Sequence, residues 1–216
     1  MESVFGFASS GKGRFLNRRI CRTLPIAVGA AVLLMGGTAA TPAAEPMVSV
    51  DNNSFHCITE MTSVRHFYVA NLLGDDAGTL AVAKAGKGDY PAGSVLQLVP
   101  NEVMVKQQKG FSPATRDWEF FYIDVSDKGS TIRNRGTTDV NNAAGMNCFA
   151  CHEKARPEFD LVCEHDHGCA ALPFTDNMFV ALQHTDPRCK NSKSVSAEDQ
   201  EALRQYHEIV KTLTNG

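Results

Sequence analysis

Two cysteines three positions apart, followed at once by a histidine, occur late in the chain as Cys148-Phe149-Ala150-Cys151-His152. Thiols one helical turn apart reach the two vinyl groups of one porphyrin, and the adjacent imidazole then meets the iron. The motif therefore predicts one covalently bound haem c. Cys148 and Cys151 are the expected thioether anchors and His152 is the expected axial ligand of the iron. The motif assigns no catalytic residue.

The first 44 residues have the pattern of a secretory signal peptide. Five basic residues and a single acid precede an apolar run of 14 residues over 24–37, and small residues follow as far as Ala44. Cleavage is expected between Ala40 and Glu45, which leaves residues 45–216 as a single domain. An uncleaved anchor is the alternative, although a bilayer span needs about 20 residues. The pattern predicts a periplasmic protein with no membrane span after cleavage.

Removal of residues 1–44 makes the chain acidic. In residues 45–216, 16 basic residues face 23 acidic ones, for a formal net charge of −7. Nucleic-acid binding requires clustered Lys and Arg, and no such run remains. The composition therefore excludes nucleic acid as the expected partner, whereas a basic redox partner protein would be attracted by this charge.

Four other cysteines remain in residues 45–216, namely Cys57, Cys163, Cys169 and Cys189. An even number in an oxidising compartment predicts two disulfides. Three pairings are open. Cys163 and Cys169 are close enough to close a short loop, which leaves Cys57 for Cys189, but Cys57 with Cys163 and Cys169 with Cys189 is equally tenable.

Zinc is a rival interpretation of the same cysteines. The thiolates and imidazoles available for a tetrahedral site are those of Cys148, Cys151, Cys163, Cys169, His165 and His167. Zinc does not require a histidine directly after the second cysteine of the motif, and exported thiolates would have to escape oxidation. Haem attachment uses every residue of the motif and is the preferred interpretation.

The hydrophobic pattern changes from strand-like to helical near residue 140. Short runs rich in Val, Leu, Ile and aromatic residues, separated by Gly, Pro and Asp, predict strands over 65–72, 94–99, 102–107, 118–125 and 131–135. A short helix is expected over 54–63, and 79–85 is ambiguous. Helices are predicted over 176–184 and after a capping box formed by Ser196 and Asp199. The fold class is α+β, a mainly antiparallel sheet with flanking helices and a late Cys-x-x-Cys-His segment.

Several segments carry a family resemblance: 90–95 (YPAGSV), 104–106 (MVK), 117–122 (DWEFFY), the motif at 148–152, and Asp160 downstream of it. Together they resemble the cytochrome P460 family, which includes the β-rich cytochromes c′. The resemblance covers about residues 60–165. It implies an antiparallel β fold, a homodimer, and a haem iron that is bound by the motif histidine and open on its other face.

The resemblance also implies a function. Such proteins bind or oxidise small nitrogen compounds such as nitric oxide and hydroxylamine, and the hydroxylamine-oxidising members carry a lysine cross-link to the haem. Here the strand at 94–99 has no lysine, so Lys106 on the next strand is the nearest candidate. In the same region Trp118, Phe120 and Tyr122 alternate along one strand and are expected to be buried, some of them against the haem.

The sixth ligand of the iron decides between two functions. A methionine or histidine ligand would close the iron site and favour a periplasmic electron-transfer cytochrome c. Candidates by sequence position are Met178, His165, His167 and His184. Without such a ligand the iron is open to nitrogen compounds, which is the preferred prediction.

Overall fold

The computed structural model describes residues 47–190 and 195–214. The predicted signal peptide at residues 1–44 lies outside these residues. Within the described part of the chain, no helix is both long and apolar enough to span a membrane.

Six strands form one sheet in which each strand pairs antiparallel with the next along the chain. The strands are β1 (Thr62–Val64), β2 (Phe67–Asn71), β3 (Ser94–Val99), β4 (Glu102–Lys106), β5 (Trp118–Ser126) and β6 (Gly129–Gly136). The helices are α1 (Asp76–Ala85), α2 (Cys148–His152), α3 (Asp176–His184) and α4 (Ala197–Thr214). This architecture confirms the α+β class and the antiparallel sheet predicted from the sequence.

Both faces of the sheet are covered. On one face, Phe67, Leu96, Met104 and Phe120 pack in a cluster that also includes Leu161, beyond the cysteine motif. On the other face, Val95, Val105, Phe121 and Ile123 pack against Val48, Val50 and Phe55 from the segment before β1. Since successive side chains of a strand point to opposite faces, β5 contributes Phe120 to one core and Phe121 to the other.

The helix predicted over 54–63 is wrong. This segment makes two short 3-10 turns, Asn52–Ser54 and Ile58–Glu60, before β1 begins. Asp51 caps the first turn by accepting a hydrogen bond from the Asn53 backbone N–H. The Ile58 N–H donates to the Asp186 carboxylate instead of to a helix carbonyl. Local capping and a long-range contact therefore use the backbone groups that a continuous helix would need.

The ambiguous segment 79–85 is helical and makes up the last seven of the ten residues of α1. Asp75 caps this helix by accepting from the Gly78 N–H, and Gly86 ends it in the left-handed conformation. The predicted strand at 65–72 begins only at Phe67, because Arg65, with φ +54°, makes a tight turn between β1 and β2.

The two C-terminal helices match their predictions. α3 has the predicted bounds, and α4 begins with the predicted capping box: the Asp199 N–H donates to the Ser196 hydroxyl, and the Ser196 N–H donates to the Asp199 carboxylate. Gln183 on α3 donates from Nε2 to the carbonyl oxygens of His66 and Leu98, 2.8 Å in each case. These hydrogen bonds hold the helical pair against the sheet.

Candidate haem-binding site

The cysteine motif folds as a helix of a little more than one turn, α2. Asn147 caps it by accepting a hydrogen bond from the Ala150 N–H at 2.9 Å, and the Asn147 amide donates to Asn141 and to the Thr138 carbonyl. The Cys148 N–H donates to the Val140 carbonyl at 2.9 Å. The capping residue thus anchors the start of the helix, and the helix brings both cysteines and the histidine to one place.

Disulfides account for every other cysteine in the described part of the chain. Cys57 pairs with Cys189, and Cys163 pairs with Cys169. Two disulfides were predicted, and this pairing is one of the three that the sequence left open. It removes the thiolates of Cys163 and Cys169 from the zinc interpretation, so a four-thiolate site does not form.

Cys148 and Cys151 are the two free thiols among the described residues. Burial, together with a smaller contribution from the nearby Glu102, raises the pKa of Cys148 to about 12. This thiol is therefore protonated at neutral pH. Cys151 is exposed on the same short helix.

His152 is held by a backbone carbonyl. Its Nδ1 lies 2.7 Å from the oxygen of Leu161. A carbonyl oxygen can only accept, so Nδ1 carries the hydrogen and Nε2 has a free lone pair. Burial lowers the pKa of His152, and the carbonyl hydrogen bond partly opposes that effect. The imidazole is consequently neutral, the form that ligates iron.

An open cavity of about 210 Å³ adjoins the motif, and Cys148, Cys151 and His152 all lie in its wall. The remaining wall is mostly apolar. It includes Leu96, Leu98, Met104 and Phe120 from the sheet, Val162 from the loop after the motif, and Leu172, Phe174, Phe179, Tyr206 and Val210 from the C-terminal part of the chain.

Aromatic side chains shape the wall beside His152. The Phe120 ring centroid is 5.3 Å from that of His152. Trp118 is fully buried and lies edge-on to Tyr90, with the ring centroids 5.5 Å apart. The prediction that the aromatic residues of this strand are buried is confirmed for Trp118 and Phe120, whereas Tyr122 is half-buried.

The cavity wall contains two acids, Glu164, which pairs with Arg65, and Glu102, which lies near Cys148. Burial raises the pKa of Glu102 to about 6, and a hydrogen bond with the Asn142 side chain lowers it in part. Glu102 was not singled out from the sequence. It stands at the start of a strand, where an acid is usually solvated, and only the packing of Asn142 and α4 around it reveals its position.

None of the four sequence-predicted sixth ligands lies in the cavity wall. Met178 is buried between α3 and α4, and His184 bonds to Asp199. His167 is stacked on Phe159, and His165 is exposed. The structure therefore does not support these four residues as sixth ligands, because their closeness to the motif in sequence does not bring them into the cavity wall.

The cavity wall contains one other histidine, His66, and two methionines, Met104 and Met146, which are side chains able to ligate iron. Sequence reasoning missed them. His66 lies in the turn before β2 and Met104 within β4, so the sheet brings them to the cavity from far upstream of the motif. Met146 is only two positions before Cys148.

The Lys106 side chain does not point into the cavity. Its Nζ donates to both carboxylate oxygens of Asp160 at 2.7 Å, and it lies 5.0 Å from the centre of the Trp118 ring. Among residues 47–190 and 195–214, no lysine lines the cavity. The structure therefore gives no support to Lys106 as a cross-linking residue.

These residues fit a haem. Two unpaired thiols and a neutral imidazole with a free Nε2 share one short helix in the wall of an open, mostly apolar cavity. No family model, no curated protein and no solved structure matches this chain. The assignment of function therefore depends on the chemistry of the site.

Proposed function

We propose that this protein is an exported c-type cytochrome with one haem, bound through Cys148, Cys151 and His152, whose iron binds or oxidises small nitrogen compounds. The observation that carries the proposal is that the only free thiols of the described residues, Cys148 and Cys151, lie in the wall of an apolar cavity on the same short helix as a neutral histidine. When bound, haem supplies an iron centre for ligand binding and one-electron chemistry.

Attachment needs no oxidant. Each cysteine S–H adds across one vinyl C=C bond, so that sulfur bonds to one vinyl carbon and the hydrogen goes to the other. Because the Cys148 thiol is half-buried and protonated in the folded chain, attachment fits best before α2 has packed against the sheet. Export of an unfolded chain, as the N-terminal pattern predicts, provides that opportunity.

The choice of nitrogen ligands rests on two points. The first is the sequence resemblance to the cytochrome P460 family. The second is that the sequence-predicted sixth ligands Met178, His165, His167 and His184 are outside the cavity wall, which favours an open iron. Since no lysine lines the cavity among the described residues, ligand binding is favoured over the chemistry of a lysine cross-linked haem.

A six-coordinate electron-transfer cytochrome is the second candidate. The observation in its favour is the presence of His66, Met104 and Met146 in the cavity wall. Any one of them, bound to the iron, would close the site to external ligands.

Mass spectrometry and optical spectroscopy of the exported protein test both candidates. Covalent attachment of one haem is expected, and it should be lost in the Cys148→Ser/Cys151→Ser variant but kept in the Cys163→Ser/Cys169→Ser variant. The reduced protein should be high-spin and should change its spectrum when nitric oxide is added. A low-spin spectrum that is insensitive to nitric oxide would instead favour electron transfer, and a protein without covalent haem would refute both.

A further inference from the structure

The carbonyl that holds His152 belongs to a strained piece of backbone. Asp160 and Leu161 are consecutive residues with φ of +49° and +62°, in the left-handed region. Each such residue other than glycine costs about 1–2 kcal/mol. Strain of this kind persists only where the surrounding contacts fix the backbone.

Those contacts converge on Asp160, which is completely buried. Its carboxylate accepts from Lys106 Nζ at 2.7 Å and from the Tyr90 N–H at 2.9 Å. Its own carbonyl accepts from the Trp118 indole N–H at 2.7 Å. Side chain and backbone of this one residue are therefore both tied to the sheet and to the segment before β3.

The next peptide unit is the one that faces His152. With Asp160 fixed from several directions, the Leu161 carbonyl is aimed at His152 Nδ1, at 2.7 Å. An imidazole that donates to a carbonyl is a stronger electron donor to a metal than one without this hydrogen bond, and its ring is held in one orientation.

We propose that Asp160 is a positioning residue for the axial histidine. Its hydrogen bonds with Lys106 and Trp118 fix the position of the Leu161 carbonyl, which accepts from His152. The strength of that hydrogen bond then affects how strongly His152 donates electrons to the iron, and hence the reduction potential. This inference rests on the proposed function, since it requires His152 to ligate haem. It also gives the buried Lys106 a structural role that does not involve a cross-link to haem.

Asp160→Asn tests the proposal because it keeps the shape and removes the charge that holds Lys106. The iron–histidine stretching frequency of the reduced protein, measured by resonance Raman, should fall. The reduction equilibrium should shift about tenfold toward the ferrous state, the lower end of typical effects of residues behind a metal ligand, which is about 59 mV for one electron. If the iron is six-coordinate, the midpoint potential alone is the readout.

Trp118→Phe is the second variant, for use whether or not Asp160→Asn folds. It removes the N–H that donates to the Asp160 carbonyl but retains an aromatic ring. The iron–histidine stretching frequency and the midpoint potential should therefore shift in the same direction as in Asp160→Asn, by a smaller amount.

Asp186→Asn is the matched control. Asp186 is equally buried, pairs with Arg188 at 2.7 Å and accepts from the Ile58 N–H, but it contacts neither the motif nor the loop after it. It should leave both signals unchanged. Unchanged signals in Asp160→Asn and Trp118→Phe would overturn the proposal, as would an equal shift in Asp186→Asn. Absence of covalent haem from the unmodified protein would refute the proposed function instead and would be detected before any variant is compared.

Discussion

The disulfide between Cys57 and Cys189 joins the segment before β1 to the turn after α3, across 132 positions of sequence. The other disulfide, between Cys163 and Cys169, closes a loop across only 6 positions. The two cross-links therefore restrict the unfolded chain to very different degrees.

Replacing each pair with serine should reveal this difference. On the loop-entropy relation, loss of the Cys57–Cys189 disulfide should lower the free energy of unfolding by about 5 kcal/mol, and loss of the Cys163–Cys169 disulfide by about 2 kcal/mol. Urea denaturation of both double variants measures the two losses. Equal losses would show that native-state contacts around the cysteines matter more than loop length.

Asp186→Asn should strongly destabilise the protein. Asp186 and Arg188 form an ion pair with side chains 0% and 2% exposed, and the substitution leaves the guanidinium without its charged partner. Breaking a buried pair in this way costs about 3–5 kcal/mol. Arg204→Ala, which breaks an exposed pair with Glu201 on α4, is the comparison and should have no measurable effect on the denaturation midpoint.

Glu102 should make stability depend on pH. Its pKa rises from 4.5 to about 6 on folding, so the folded state holds a proton that the unfolded state has released in this range. Stability should therefore fall by about 2 kcal/mol as the pH rises from 4.5 through 6. A bound haem would bury Glu102 further and leave the direction unchanged.

Urea denaturation at several pH values, with Glu102→Gln beside the unmodified protein, measures this contribution. The variant should lack the decrease, whereas Glu60→Gln, at an exposed position, should retain it. If the stability of Glu102→Gln fell over the same pH range by the same amount, Glu102 would not be the group responsible for the decrease.

Tyr206→Ala should open the cavity wall. Tyr206 on α4 lies in that wall and packs against Phe174, with ring centroids 5.0 Å apart. Truncation of this half-buried ring should cost about 2 kcal/mol, less than for a fully buried aromatic residue. It should also speed nitric oxide binding to the reduced protein in stopped-flow experiments. His207→Ala, one position along on the exposed side of the helix, should change neither quantity.

Those parts of the fold that depend on local pattern were predictable. β3 has the predicted bounds, because its apolar run is flanked by Gly93 and Pro100, and the start of α4 follows from the capping box of Ser196 and Asp199. The two 3-10 turns near residues 54–63 could not be predicted from the local sequence. Their conformation depends on Asp186 and Cys189, which lie far along the chain.

Part of the candidate site was likewise predictable from the sequence, and part was not. Cys148, Cys151 and His152 were identifiable because the motif is contiguous in sequence. The Leu161 carbonyl was not, because a backbone group in the left-handed region leaves no trace in a sequence without glycine at that point. Glu102 and His66 were equally hidden, since only the sheet and α4 bring them to the cavity wall.

The order of the strands has a consequence for assembly. Every neighbouring pair in the sheet is also consecutive in the chain, so the sheet can grow one strand at a time in chain order. The cysteine motif follows the last strand. A chain delivered from its N-terminus therefore forms the sheet side of the cavity wall before Cys148 and Cys151 arrive, and the part of the wall contributed by α3 and α4 follows them. The Cys57–Cys189 disulfide joins the first described segment to the turn after α3, so it can close only after the sheet and the motif have both been delivered.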